Sequence, residues 1–265
     1  METFRPLGWR FDALASPAKV AIDGIPDEIR RIRYPFRLLR YWFALELLRD
    51  EAKARDRTPL HIGEVGIDQG QMLAFARRTF DCQREAYAWH QWDGLDCCEP
   101  NEPLQRVGYD RLIQVDLEDR IATASQPSQA YDVVILLHVI EHLRDPLPAL
   151  ADVARWVKPG GLMIGGTPAT PEFARAFWQR RLRRRARPRG HVSVISPSLV
   201  RRWGDELGLS TELLNGAFFM RKKGFELENR IWWLRANLAF GSIFPSWPGE
   251  LYWAWRRPPR IDPPH

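Results

Sequence analysis

Between Pro35 and Arg55 the apolar residues recur at helical spacing. Leu38, Leu39, Trp42, Phe43, Leu45 and Leu48 share one face, and arginines and glutamates occupy the other. The pattern predicts an amphipathic helix that begins near Pro35, where a proline is tolerated, and covers whatever follows. From about Thr58 the period changes to short apolar runs alternating with helical stretches. "PLHIGEV" is a strand broken by "GIDQGQ", and "QMLAFARRTF" is a helix. "AYAWHQWDGLD" and "RLIQVDLED" are strands that end in acids. "YDVVILLHVI" is apolar almost throughout, as a strand covered on both faces must be. "PLPALADVARWV" is a helix stopped by "KPGG", and "LMIGGTP" is a fifth strand. "PEFARAFWQ" opens a helix that runs into a basic loop, "SPSLVRRWGDELGL" is a helix with a serine cap, and "STELLNGAFF" and "GELYWAWRRP" form a closing antiparallel pair.

Strand–helix alternation of this kind predicts an α/β fold, a doubly wound and mostly parallel sheet whose ligands bind at the carboxyl ends of the strands. The expected division is a helical extension over 1–57, a main domain over 58–256 with insertions at 169–191 and 220–248, and a tail over 257–265. The C-terminal insertion is aromatic and too long for a plain hairpin loop.

Composition narrows the class. The 265 residues are 45% hydrophobic and 27% charged, which is ordinary for a globular protein. The net charge is +6, yet "RRLRRRARPR" (Arg180 to Arg189) alone carries seven arginines, so the basic excess is local. Such a run attracts anionic surfaces, or is simply a solvated loop. Three cysteines without a C-x-x-C pair read as structural thiols in a reducing compartment. No leader-like or membrane-spanning apolar run is visible. A cytoplasmic protein is expected, with peripheral membrane contact left open.

Candidate chemistry lies at the predicted strand ends. Glu64 closes the first strand, and Gly66 and Gly70 bracket the turn into a helix, where backbone can approach a ligand and helix N–H groups are free. The turn by itself suits nucleotides, dinucleotides and S-adenosylmethionine alike, but it lacks the Lys-Ser/Thr ending of a phosphate loop. Asp96, at the end of the second strand, can accept from ribose hydroxyls, and Asp116, with Leu117 N–H beside it, can contact adenine. Acids succeeding one another along one sheet edge favour an adenosyl ligand.

These pieces resemble the class I S-adenosylmethionine-dependent methyltransferases, whose first motif is E-x-G-x-G-x-G. "EVGIDQG" matches it with Asp68 at the middle glycine. "YDVVILLHVIEHLRDP", "ARWVKPGGLMIGGTP" and "GHVSVISPSLVRRWGDELGL" resemble the later motifs, so the likeness runs from about Leu60 to Leu209. It implies a Rossmann-like, seven-stranded fold with S-adenosylmethionine as cofactor. Glu64, Gly66 and Gly70 would line its methionine part, and Asp96 would hold the ribose. Asp116 and Leu117 would meet adenine, and His138 would lie near the sulfonium. The Asp68 carboxylate would favour the cationic sulfonium or amino group.

His138, Glu141 and His142 also spell H-x-x-E-H, a zinc-peptidase string. That chemistry needs both histidines on one helix face. Here His138 ends a strand, and Pro146 and Pro148 follow closely. Some relatives of this family hold a divalent ion with a Glu-His pair at this place, and His191 could add a ligand. The preferred reading keeps Glu141 in the loop's own bonding, with no metal. His142 and His191 are the candidate catalytic bases for a hydroxyl acceptor. The acceptor is expected to be a small molecule, a glycan or a lipid-linked compound; Trp232, Trp233, Phe240, Phe244 and Trp247 are candidates for its wall or for a membrane interface, or else form a second small core under the sheet. Nucleic acid is not expected, since no binding module for it is visible. The alternative is a binding or regulatory protein that keeps the fold without catalysis.

Overall fold

The computed structural model describes residues 27–99, 102–184, 190–217, 227, 231–247 and 249–260; for 27–38, 82, 83, 103, 231, 234 and 235 it describes the backbone alone. The elements are α1 (Asp27–Ala54), β1 (Leu60–Val65), α2 (Gln71–Gln83), β2 (Trp89–Asp96), α3 (Glu102–Val107), β3 (Arg111–Gln114), α4 (Arg120–Ala124) and β4 (Tyr131–Leu137). They continue with a 3-10 turn (Ile140–His142), α5 (Pro146–Trp156), β5 (Val157–Ala169), α6 (Glu172–Arg183), α7 (Pro197–Glu206), β6 (Ser210–Gly216), α8 (Ile231–Ile243) and β7 (Gly249–Arg256).

The seven strands form one sheet in the order β3-β2-β1-β4-β5-β7-β6. β1 to β5 pair in parallel, and β7 runs antiparallel to both β5 and β6. The order reverses between β1 and β4, which opens the crevice that a doubly wound sheet offers a ligand. Both faces are covered. One core layer joins Trp42, Phe43, Phe75, Trp92 and Leu238; the other joins Val153, Trp156, Trp203, Trp253 and Trp255. Burial on both sides explains why β4 is apolar from end to end.

Several expectations need correction. The first helix starts at Asp27, not near Pro35, so Pro35 lies inside it. Acids at its first two positions suit the positive end of the helix, and Pro35 removes one backbone bond from its interior. The third strand stops at Gln114, two residues short of Asp116. "KPGG" does not stop α5, which already ends at Trp156; it forms a bulge inside β5, where Tyr131 pairs with Val157 and Val133 with Leu162. Gly160 there has φ +75°, a conformation open to glycine. The aromatic insertion contains a helix, α8, that the sequence pattern did not predict. Gly241 of α8 lies so close to β6 that an added Cβ would stand 2.0 Å from the Gly216 carbonyl oxygen. Part of the basic loop, 185–189, and part of the aromatic insertion, 218–226, lie outside the described residues.

α1 is 28 residues long and so about 42 Å, longer than the strands it crosses. Its last turn is pinned at the amino end of β4, where Arg55 meets Asp132 at 2.7 Å, and Glu51 meets Arg256 of β7 at 2.9 Å. Its middle reaches the carboxyl edge, where Arg40 meets Glu250 at 3.1 Å. The N-terminal turns therefore run on past the edge where a ligand would bind.

The tightest packing constraint is in the sheet itself. A Cβ on Gly165 would lie 1.9 Å from the Trp253 ring. Gly165→Ala is expected to cost about 1–3 kcal/mol or more through overpacking, read as a lowered urea midpoint. Trp253→Leu in the same chain should recover part of that loss.

Candidate active site

Three strand tips and their loops form the crevice. After β1, Gly66 (φ +72°), Asp68 (φ +48°) and Gly70 (φ +70°) all adopt left-handed backbone. Asp68 thus holds the conformation that glycine takes most readily, and aspartate is among the few other residues that tolerate it. Gly66 also has to be small: an added Cβ would sit 2.5 Å from a Val139 methyl, so the β1 turn packs directly on the β4 tip. Gly70 is the N-cap of α2, and no side chain caps it. The first N–H groups of that helix are left for other acceptors.

Asp96 stands at the β2 tip, half-buried. Its Oδ2 accepts from Asp68 N at 3.2 Å and its Oδ1 from Cys98 N at 3.0 Å, so it bridges the first two loops. Asp116 is exposed; its Oδ1 accepts from Glu118 N at 2.9 Å, while Leu117 beside it is buried. Glu64 turns away from this group. It is 5% exposed, and its Oε2 accepts from Trp92 Nε1 at 2.9 Å and Tyr109 OH at 3.0 Å. Burial pushes its carboxyl up to about 8, against the two hydrogen bonds that favour the charged form. What Glu64 leaves toward the crevice is its backbone.

Past β4 the histidines separate into two environments. His138, one residue beyond the strand, has φ +59° and donates its N–H to Gly166 O at 2.7 Å. Its Nδ1 lies 3.0 Å from Glu141 Oε1 and its Nε2 lies 3.7 Å from Glu250 Oε1, both as ion pairs lacking hydrogen-bond alignment. Burial would lower its pKa, but the two carboxylates outweigh that and raise it, so this imidazole favours the cation. His142 and His191 are exposed, with rings 4.9 Å apart, edge to face. His142 Nδ1 lies 3.1 Å from Gly190 O, and as the donor there it leaves Nε2 with its lone pair. Partial burial and the two neighbouring imidazoles pull His191 down in spite of Glu141, so it favours the neutral base.

Glu141 links these parts. It is 1% exposed; its Oε2 accepts from Thr167 Oγ1 at 3.1 Å, and its carbonyl accepts from Val192 N and Ser193 N. These bonds draw His191, about 50 residues away in sequence, against His142. Ligand atoms of Glu141, His142 and His191 all lie within 4.8 Å of one another. One carboxylate and two imidazoles are a donor set that a divalent transition metal accepts, and the Glu141 Oε1 atom that no hydrogen bond engages fits that use. A cleft of about 520 Å³ borders the cluster. Its lining includes Arg144 and Val192, close in sequence to His142 and His191, together with Arg175, Arg183 and Trp203.

Sequence reasoning missed Arg40 and Glu250, which act on His138, and Tyr252, whose hydroxyl donates to Glu250. Arg40 and Glu250 are 210 residues apart, and no local pattern joins them. The cysteines also need correction. Cys97 and Cys98 are exposed at the β2 tip and are not packed in a core; the side chain of Cys82 lies outside the described residues.

Comparison with known proteins shows the family and the fold. A family profile described as "Methyltransferase domain" matches residues 37–214. The ubiquinone biosynthesis O-methyltransferase of Maricaulis maris is 29% identical over 148 residues, covering 54% of this chain and 55% of that protein. That of Paramagnetospirillum magneticum is 30% identical over 138 residues, covering 50% and 51%. The chain thus spans about half the length of the curated relatives it matches. Among solved structures, the S-adenosylmethionine dependent methyltransferase from Mesorhizobium loti superposes with a TM-score of 0.54 at 16% identity, covering 82% of this chain and 97% of that one.

Glu64 supplies a pH test. Its folded pKa of about 8 exceeds the unfolded value of about 4.3. The stability it confers is therefore full below about pH 4 and is lost as pH rises through 8. Glu64→Gln keeps an acceptor for Trp92 and Tyr109 but cannot ionise. Urea unfolding from pH 5 to 9 should show the wild type losing stability relative to the variant; a constant difference would mean that Glu64 is already charged.

Proposed function

The chain belongs to the methyltransferase-domain family, and we propose that it is an S-adenosylmethionine-dependent methyltransferase that methylates a hydroxyl oxygen of a small, lipid-linked acceptor. The observation that carries the oxygen assignment is the cluster beside the β4 tip, where the His191 ring lies 4.9 Å from His142 and within reach of Glu141, with burial lowering the His191 pKa. The two half-length relatives named as O-methyltransferases support the same choice.

S-adenosylmethionine supplies a methyl group on a cationic sulfur, whose departure as a thioether needs no acid. The chain's work is alignment and proton removal. Asp96 accepts from ribose hydroxyls, Asp116 and Leu117 N–H face adenine, and the backbone of the Gly66–Gly70 turn with the uncapped start of α2 holds the amino-acid end. The Asp68 and Asp96 carboxylates give this crevice a negative field that suits a cationic ligand. β2 and β4 flank β1, so their tips stand about 10 Å apart, room for an adenosyl group between Asp96 and the histidines. His191 takes the acceptor's proton, and His142, fixed through Gly190, orients it. His138, favouring the cation, is a wall and not the base. Glu141, His142 and His191 are also the residues that would hold a divalent ion, which would lower the pKa of an acceptor hydroxyl.

The acceptor side favours a lipid. α6 has no buried residue; Phe173, Phe177 and Trp178 are 92%, 62% and 45% exposed, interleaved with Arg175, Arg180, Arg181 and Arg183. Aromatic rings with arginines suit the headgroup layer of an anionic bilayer. Among the described residues no helix is long and apolar enough to cross a membrane, so this contact is with the surface.

Asp96→Ala should weaken S-adenosylhomocysteine binding in calorimetry by about ten- to a hundredfold, the 1.5–3 kcal/mol of a hydrogen bond to a charged group. His191→Ala should leave that affinity in place and lower kcat by about a hundredfold or more, with loss of the acidic limb of the pH–rate profile. Unchanged kcat removes His191 as the base. In a separate test, vesicles rich in anionic phospholipid should sediment the protein and zwitterionic vesicles should not. The Phe173→Ser, Phe177→Ser double variant should stay in the supernatant.

A further inference from the structure

Asp96, Cys97 and Cys98 follow one another at the β2 tip, outside the histidine cluster, and their ligand atoms lie within 4.8 Å of one another. The thiols are exposed, in a bend just past the strand. Cys97 Sγ is 3.8 Å from Cys98 Sγ and 3.6 Å from Asp96 Oδ1. Two sulfurs at 2.3 Å from a tetrahedral ion stand about 3.8 Å apart, and a sulfur and a carboxylate oxygen about 3.6 Å apart. Two of the three separations are thus those of a tetrahedral site before any ion arrives, and the third, Cys98 Sγ to the Asp96 carboxylate, is within 4.8 Å. Cys98 N donates to Asp96 Oδ1, and Gln114 Nε2 donates to the Cys97 carbonyl at 3.3 Å, so the bend that aligns them is pinned from two sides.

We propose that Asp96, Cys97 and Cys98 form a binding site for a thiophilic divalent cation of the zinc class, and that its occupation excludes the adenosyl cofactor. The exclusion rests on the assignment of Asp96 to the ribose: one carboxylate cannot serve both ligands. In binding, each thiol gives up a proton and forms a metal–sulfur bond, so M²⁺ and two S–H groups yield the dithiolate complex and two H⁺. A fourth position remains for water or a neighbouring carboxylate. The site makes methyl transfer sensitive to free thiophilic metal without touching the histidines.

Because binding releases the two thiol protons, it should strengthen as pH rises.

The test uses the full chain and Co²⁺ as a spectroscopic stand-in for Zn²⁺. Titration should produce thiolate-to-cobalt charge-transfer absorption, which the carboxylate–imidazole cluster cannot give, and Zn²⁺ should bleach it. The Cys97→Ser, Cys98→Ser variant should lose the band while binding S-adenosylhomocysteine as the wild type does. With Zn²⁺ at about ten times its own Kd, the apparent Kd for S-adenosylhomocysteine should rise about tenfold in the wild type, the factor mass action sets for competing ligands, and stay unchanged in the double variant. Absence of the thiolate band in the wild type overturns the site. A band with no effect of Zn²⁺ on S-adenosylhomocysteine overturns the exclusion, and the metal-free affinity of Asp96→Ala then tells whether the ribose assignment has failed with it.

Discussion

At the carboxyl edge of the sheet Glu250 is 2% exposed, and three elements answer its charge. Arg40 of α1 approaches Oε1 at 3.1 Å, His138 beyond β4 approaches the same atom at 3.7 Å, and Tyr252 OH donates to Oε2 at 2.7 Å. Burial alone would raise the carboxyl's pKa, but Arg40 and His138 outweigh it and hold the group well below the usual carboxylate range. A charge taken out of water in this way is tolerable only with its partners in place; removing one such partner costs about 3–5 kcal/mol. The covering helix, the antiparallel strand and the tip of the central parallel strand are therefore held in one arrangement by a single buried carboxylate.

That arrangement fixes what each histidine can do. His138 is pulled toward the cation by Glu250 and Glu141 and sits in left-handed backbone, a strain maintained because the surrounding bonds over-determine it. Glu141, turned inward to His138 and Thr167, still binds the 190–194 strip through its carbonyl. So one residue both biases His138 toward the cation and brings His191 against His142. The opposite pKa shifts of His138 and His191 follow from burial and neighbours, since the side chains are chemically the same.

A similar economy holds on the cofactor side. Asp96 ties the β1 turn to the β2 tip through Asp68 N, while Val139 packs over Gly66 and ties that turn to the β4 tip. The crevice is thus braced across three neighbouring strands at the point where their order reverses. Glu64, the first acid of the motif, belongs to the bracing: its carboxyl joins β1 to Trp92 of β2 and to Tyr109.

Much of this was legible in the chain alone. Apolar alternation at two periods placed the strands and most of the helices, because a residue's face is set by local geometry. Gly66 after β1 and Asp96 at the β2 tip were placed at strand ends for the same reason, and the serine before Pro197 marked a helix start, where its hydroxyl caps Leu199 N at 3.2 Å. The short helices α3 and α4, the helix inside the aromatic insertion and the start of α1 were not legible, since packing and not periodicity holds short or uniformly apolar segments. Nor could the sequence say that Glu64 faces the core, that the Cys97 and Cys98 thiols turn toward each other and the Asp96 carboxylate, or that Arg40 meets Glu250. Local chemistry selects an element and its exposed face. The charge state of a buried group, and the partner that sets it, depend on which distant segments close over it, and only the folded chain decides that.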